Sequence, residues 1–106
     1  MVMGNIFNLP NLFLFMEKTA HIFVSGRVQG IGFRFFVSSV AKRRGLKGYV
    51  RNLDDGRVEI LFQGDEDVIK EALEVIKTGH PLARIDKLEI SWKESKEKFD
   101  DFQITY

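Results

Sequence analysis

The chain has 106 residues, enough for one domain, and its 44% hydrophobic and 29% charged residues are typical of a globular protein rather than a disordered one. It contains no cysteine, which excludes a disulfide framework, a thiolate nucleophile, an iron–sulfur cluster and a thiolate zinc site. Only two histidines are present, and the formal net charge of +1 neither indicates nor excludes a polyanionic partner.

The first sixteen residues differ from the rest of the chain because they carry no charged side chain and are rich in apolar residues at 12–16. They lack the basic region and the uninterrupted apolar core of a secretory signal, and they fall short of the about 18 apolar residues of a membrane span. Three interpretations stay open: a start-site or cloning artefact with Met16 as the natural start, an extension packed on the body or on a second copy, and a degenerate targeting signal. We expect a soluble, cytoplasmic domain over residues 17–106, with no membrane association.

Hydrophobic periodicity predicts short strands and two amphipathic helices. The first elements are a strand at 21–25 and a helix that starts at 33 and ends before Gly45. Two strands follow at 46–52 and 57–62, joined by a turn at 54–56, and then a helix between Asp65 and Gly79. The last elements are a strand at 88–92, a charged turn at 93–98 and a strand at 102–106. The βαββαβ order indicates an α+β, ferredoxin-like sandwich, with a mostly antiparallel sheet and both helices on one face.

The two helices carry different signals at their starts. Asp65 is the predicted N-cap of the second helix, and Glu66 and Asp67 follow it in the first turn, where the helix dipole favours negative charge. The first helix follows a glycine-rich stretch and has Arg34 in its first turn. Its predicted buried face is Phe33, Phe36, Val37, Val40 and Ala41.

The stretch before the first helix, Gly-Arg-Val-Gln-Gly-Ile-Gly-Phe-Arg at 26–34, is a candidate anion-binding loop. Glycines permit close approach of the backbone, and N–H groups at a helix start attract anions, over which Arg34 can close with a two-pronged contact. The alternative is a tight glycine turn with a surface arginine. The Walker pattern is absent, and position 35 is phenylalanine rather than the third glycine of a dinucleotide fingerprint.

An RNA-binding interpretation of residues 30–36 also has to be considered, because Gly-Ile-Gly-Phe-Arg-Phe-Phe is similar to the aromatic strand of RRM domains, which share the βαββαβ order. In an RRM those aromatic residues lie on the third strand and face out of the sheet. Here they follow the first strand and fall into helical period, so we expect Phe33 and Phe36 to lie in the core. RNA binding through this motif is not expected.

The same residues, taken with those that follow, support a resemblance to a known family. The stretch 26–34, followed by Ala41, Gly-Leu-Lys-Gly-Tyr-Val-Arg-Asn at 45–52 and Asp-Gly-Arg-Val-Glu at 55–59, resembles the acylphosphatase signature in order and spacing. The closing Phe102-x-Ile104-x-Tyr106 also fits the family's last strand, so the resemblance covers the chain from about residue 17 onward. Ile31 and Tyr49 depart conservatively from the more usual valine and tryptophan.

The resemblance implies an acylphosphatase, which hydrolyses the carboxyl-phosphate bond of small acyl phosphates to a carboxylate and inorganic phosphate, without a metal, another cofactor or a phosphoenzyme. It implies that Arg34 and the loop amides bind the phosphate and that Asn52 positions the attacking water. The implied phosphate loop is Gln29, Gly30, Ile31, Gly32, Phe33 and Arg34. The implied ligands are the acyl phosphate and inorganic phosphate, the latter as product and inhibitor, with no nucleic acid.

Plainer interpretations exist for several polar residues. Asn52 precedes a turn, where asparagine is common, and Asp54 and Asp55 are explained by the same hairpin turn. His21 and His80 are expected to be structural or solvated rather than catalytic.

Two competing hypotheses for the whole chain stay open. One is a non-catalytic ferredoxin-like module that binds a nucleic acid or a protein through its sheet. The other is a degenerate relative of the acylphosphatase-like domain that begins hydrogenase-maturation carbamoyltransferases.

Overall fold

The computed structural model describes residues 17–94 and 97–106. Within them lie, in chain order, β1 (Glu17–Arg27), α1 (Phe33–Arg43), β2 (Lys47–Asn52), β3 (Val58–Asp65), α2 (Glu66–Thr78), β4 (Arg84–Lys93) and β5 (Phe102–Thr105). Residues 1–16, with their three interpretations, and residues 95–96 of the predicted charged turn lie outside the described part.

The strands form one five-stranded sheet in the order β4-β1-β3-β2-β5. The pairs β1–β3, β1–β4 and β2–β3 are antiparallel, and β5 pairs with β2 in parallel. The predicted ferredoxin-like α+β plan is therefore confirmed. The last strand lies outside the βαββαβ unit proper and extends the sheet by one strand beside β2.

The core lies between one face of the sheet and the two helices. Alternate residues of the central strands are fully buried there: Ala20, Ile22 and Val24 of β1, and Val58, Ile60 and Phe62 of β3. Helix α1 contributes Phe33, Val37, Val40 and Ala41, and α2 contributes Ile69, Ala72, Leu73 and Ile76. Phe36 is only partly buried and packs against this cluster. The helical assignment of the aromatic run is thus correct.

The strands predicted at 21–25, 57–62 and 88–92 are shorter than the observed β1, β3 and β4. The first strand was predicted at 21–25, but β1 spans Glu17–Arg27 because both of its edges pair with neighbours and hold its polar ends in the ladder. The alternating Leu88, Ile90 and Trp92 face the same side as the core residues of β1. Ile90 and Trp92 nevertheless stay 39% and 40% exposed, because β4 is an edge strand.

Strand pairing decides which chain segments meet at one end of the sheet. Strand β1 runs into the glycine loop that precedes α1, and β2 ends at Asn52. The parallel register places Thr105 of β5 opposite Arg51 of β2. Segments that are far apart in sequence therefore converge at the start of α1.

Candidate active site

The loop between β1 and α1 exposes the beginning of a helix. Gly30 and Gly32 both have φ of 77°, in the left-handed region that side chains other than glycine rarely adopt. Gly32 is the N-cap of α1 and supplies no side-chain hydrogen bond, and the first turn contains no acidic residue. The first helical bond runs from Phe36 N–H to the Gly32 carbonyl, at 3.1 Å. The N–H groups of the first turn are consequently available to an anion, and the helix dipole favours one there.

Arg34 is held over this helix start by residues from β5 and just beyond it. Its Nη1 donates to the Thr105 carbonyl at 3.3 Å, and its guanidinium carbon lies 4.7 Å from the centre of the Tyr106 ring. A guanidinium has five N–H donors in a planar fork. One bond to a carbonyl therefore orients the group and leaves donors for a bound anion.

Asn52 is the last residue of β2 and faces the same place. Its Oδ1 is buried and has no hydrogen-bond partner among the residues that the structure describes. Buried polar atoms are nearly always paired, so an exception calls for a physical explanation. A side-chain amide offers both an acceptor and donors, which suits it to holding a water molecule in a fixed orientation.

The loop, the arginine and the asparagine enclose one small cavity of about 100 Å³. It is lined by Val28, Gly30, Gly32, Phe33, Arg34, Phe35 and Asn52. This volume suits a group of a few heavy atoms, such as a phosphoryl group. The polar groups that line it are backbone amides, a guanidinium and a carboxamide, and this combination suits a small anion together with a water molecule.

Gln29 ties the loop to the hairpin that carries Asn52. Its Nε2 donates to the carbonyls of Leu53 and Arg57, both at 2.9 Å. The hairpin itself is closed by bonds from Leu53 N–H to Arg57 O and from Gly56 N–H to Leu53 O. The side chain of Gln29 therefore fixes the loop relative to Asn52.

The structure brings most of the sequence-predicted site residues together. Gly30, Gly32, Phe33, Arg34 and Asn52 all line the cavity, and Gln29 and Ile31 belong to the same loop. His80 lies against the rings of Phe33 and Phe36, with centroids 6.2 and 5.5 Å away.

Three residues at the site were missed by sequence reasoning: Phe35, Thr105 and Tyr106. Phe35 had a signal, since it is aromatic and lies off the buried helical face. No local pattern connects Arg34 to Thr105, because seventy-one positions separate them.

The opposite face of the sheet carries a separate charged cluster that is internally paired. Glu59 is buried there, accepts from His21 Nε2 at 2.6 Å and forms an ion pair with Arg51. Burial alone would raise the pKa of Glu59, but the hydrogen bonds from His21 and Arg51 outweigh it and hold that pKa below its usual value. His21 thus has a structural partner, as expected.

Part of this open face is covered by the segment before β5. Buried Gln63 donates to the Glu97 carbonyl at 2.6 Å and accepts from Phe99 N–H at 3.1 Å. The ring of Phe99 lies 6.0 Å from that of Tyr49. The aromatic residues of the open face are thus engaged within the chain, which argues against a nucleic-acid platform of the RRM type.

Comparison with known proteins identifies the family. The family model for acylphosphatase matches residues 20–104. The acylphosphatase of Caldanaerobacter subterraneus subsp. tengcongensis is 46% identical over 89 residues, which are 84% of this chain and 99% of that protein. The chain belongs to the acylphosphatase family. It is accordingly a hydrolase of acyl phosphates.

Solved structures of acylphosphatases and related proteins share the fold. The crystal structure of acylphosphatase from Bacillus subtilis superposes with a TM-score of 0.81 at 42% identity, covering 84% of this chain and 99% of that one. Full-length HypF in its phosphate- and nucleotide-bound form matches with a TM-score of 0.76 at 32% identity, covering 85% of this chain but 12% of that one. The acylphosphatase chain is thus matched over nearly its whole length, and HypF only over a small part.

Proposed function

We propose that this acylphosphatase binds the phosphoryl group of its substrate between the first-turn amides of α1 and the guanidinium of Arg34. The support is electrostatic: an uncapped helix start with no acid in its first turn, and a cation held beside it. Phosphoryl transfer spreads negative charge over the equatorial oxygens, so fixed donors stabilise it more strongly as it develops. Gly30 and Gly32 give the loop the backbone shape that this cradle requires.

Asn52 is proposed to position the attacking water, and its unpaired buried oxygen is the observation that carries the proposal. Oδ1 accepts a hydrogen bond from a water molecule and orients it for attack on phosphorus, opposite the acyl oxygen. Asparagine is a poor base, so its contribution is orientation and reduced entropy rather than proton removal. The water oxygen bonds to phosphorus while the bond from phosphorus to the acyl oxygen breaks.

The chemistry of the leaving group explains why few catalytic groups are needed. It is a carboxylate, whose conjugate acid has a pKa of about 4, and it departs with the electron pair unprotonated. The products are a carboxylate, inorganic phosphate and a proton that passes to solvent. No general acid is required, and we propose that no metal or other cofactor takes part. Inorganic phosphate, which occupies the same cradle, is the expected competitive inhibitor.

Hydrolysis of benzoyl phosphate by the full chain, in the presence of EDTA, tests this proposal. We expect turnover that EDTA leaves unchanged, that inorganic phosphate inhibits, and that Arg34→Gln and Asn52→Ala each reduce by at least about a hundredfold. Arg34→Gln should raise the inhibition constant of phosphate, whereas Asn52→Ala should lower kcat and leave that constant unchanged.

Arg44→Gln is the matched control, because Arg44 pairs with Glu71 on the surface. Full activity of Asn52→Ala would overturn the role of Asn52, and loss of activity with EDTA would overturn metal independence.

The proposal includes a domain extent and a location. We assign the activity to residues 17–106, in the cytoplasm, without nucleic-acid or membrane partners. Among the described residues no helix is both long and apolar enough to cross a membrane. A chain shortened to begin at Met16 should keep full turnover, and a large loss would show that the first residues contribute to the enzyme.

A further inference from the structure

Phe35 has an aromatic side chain that does not pack in the hydrophobic core. It lies one residue after Arg34 in the first turn of α1 and is 72% exposed, whereas Phe33 in the same turn is 1% exposed. The buried stripe of α1 is supplied by Phe33, Val37, Val40 and Ala41, and Phe35 falls outside it. Single exposed apolar residues are ordinary on protein surfaces, so the exposure alone has no meaning. The position of Phe35 indicates a function, because this residue lines the same cavity as Arg34 and Asn52.

The direction of the side chain follows from helix geometry. Cα–Cβ bonds tilt toward the N-terminus of a helix, and long side chains cover the turn before their own. This tendency directs the Phe35 side chain toward the N-terminal end of α1, where the proposed phosphate cradle lies. The ring of Tyr106, itself 92% exposed, stacks on the Arg34 guanidinium. Phe35 thus contributes an exposed aromatic residue to the cavity lining, and Tyr106 contributes another that contacts Arg34.

The size of the cavity decides where the rest of a substrate lies. A cavity of about 100 Å³ suits the phosphoryl group and the water, and the bulk of a larger acyl group then lies outside it. The acyl group must project through the mouth, past Phe35. An apolar acyl group that packs on this ring is removed from water, whereas a two-carbon acetyl group covers little of it.

We infer that Phe35 is a specificity-determining residue that contacts the acyl group and favours aromatic acyl phosphates over acetyl phosphate. This inference rests on the proposed function. Aromatic pairs prefer offset or edge-to-face arrangements, and an exposed ring at the mouth of a cavity is accessible to both. The selectivity arises outside the phosphate cradle, so Phe35 discriminates between substrates without altering how phosphate itself is held.

The test compares benzoyl phosphate and acetyl phosphate as substrates for the wild-type chain and for Phe35→Ala. We expect kcat/KM for benzoyl phosphate to fall about threefold to tenfold, and kcat/KM for acetyl phosphate to change less than about twofold. The inhibition constant of inorganic phosphate should stay unchanged. Phe35→Trp should keep or increase the preference for benzoyl phosphate. Leu82→Ala is the matched control, since Leu82 is 59% exposed and lies in the loop after α2.

Three other outcomes of this experiment would overturn the inference, and one of them would also overturn the proposed function. If Phe35→Ala loses activity equally on both substrates, or raises the phosphate inhibition constant, the residue shapes the cradle and the inference is wrong. If the ratio of the two kcat/KM values is unchanged, the acyl group does not contact Phe35 and the inference is again wrong, while the proposed function stands. If the wild-type chain hydrolyses neither substrate, the proposed function fails, and the inference fails with it.

Discussion

The two helices of this acylphosphatase begin in opposite ways, although the same backbone physics applies to both. At the start of α2, Asp65 Oδ1 accepts from the N–H groups of Asp67 at 2.9 Å and Val68 at 3.3 Å, and Glu66 and Asp67 place negative charge in the first turn. At the start of α1, Gly32 offers no side chain, and the charged residue of the first turn is Arg34.

Under the proposed function, this difference separates a structural helix start from a functional one. Every helix has N–H groups in its first turn that lack helical partners, and the dipole makes that end attractive to anions. In α2 the chain supplies the anion itself, so the helix start is neutralised and gains stability. In α1 the chain supplies only glycine and a cation, and under the proposed function an anion from solution completes the helix start. The contrast predicts which of the two sites responds to phosphate.

The largest expected effect on activity comes from placing an aspartate at the start of α1, as Asp65 stands at the start of α2. Gly32→Asp should reduce kcat/KM by at least about a hundredfold, because a carboxylate beside the helix start repels the phosphoryl group. Like charges about 4 Å apart repel by about 4 kcal/mol at an effective dielectric constant of 20. Steady-state hydrolysis of benzoyl phosphate measures the loss.

Gly32→Asn is the control for that substitution. Asparagine has the same shape and tolerates a positive φ, so both variants carry similar backbone strain and differ in charge. If the two variants lose activity equally, backbone strain rather than charge is responsible, and the electrostatic comparison of the two helix starts is refuted.

Phosphate should stabilise the protein through α1 alone. A ligand that binds only the folded state adds about 1.4 kcal/mol at ten times its Kd, which raises the Tm of a domain of this size by several degrees. We expect this rise in thermal unfolding for the wild-type chain and for Asn52→Ala, and a much smaller rise for Arg34→Gln. An equal rise in Arg34→Gln would show that phosphate binds elsewhere.

Removing the cap of α2 should lower stability without changing the chemistry. Asp65→Ala leaves two N–H groups without their side-chain partner and should lower the free energy of unfolding by about 1 kcal/mol. Denaturant unfolding measures the change, and Asp65→Ser should restore most of it. The value of kcat/KM for benzoyl phosphate should stay within error of wild type, and a parallel loss of activity would contradict the division into a structural and a functional helix start.

The smallest effect is expected at the ring that supports Arg34. Tyr106→Leu keeps an apolar contact but removes the aromatic face under the guanidinium, and exposed cation–π contacts contribute about 0.5–1 kcal/mol. The KM and the phosphate inhibition constant should both rise about twofold to fivefold, with kcat little changed. A change in kcat alone would place Tyr106 in the chemical step instead.

The parts of the molecule that follow local rules were predictable from the sequence. The predicted face Phe33, Phe36, Val37, Val40 and Ala41 repeats with helical period, with Phe36 only partly buried, and Asp65 with the two acids after it has the pattern of an N-cap. Both features are present as predicted. The resemblance to the family pointed to Arg34 and Asn52, and the structure places both at one cavity.

The features that depend on distant segments were not predictable in the same way. The parallel pairing of β5 with β2 brings Thr105 to Arg34, and no local periodicity encodes that meeting. The unpaired state of Asn52 Oδ1 depends on which groups surround it in three dimensions. Ile90 and Trp92 lie on the core-facing side of β4, and their exposure follows from the edge position of that strand, which the alternation in sequence does not reveal.

Strand β5 has a consequence for how activity is lost. It has four residues, lies at the edge of the sheet and pairs only with β2 among the described strands, yet it holds Arg34 through Thr105. Short edge elements open locally at a lower cost in free energy than the core does. In a denaturant titration, turnover should therefore disappear at lower concentrations than the circular dichroism signal of the helices. The enzyme would then lose activity while most of the chain is still folded. The range of denaturant concentrations over which it is active would be narrower than the range over which it is folded.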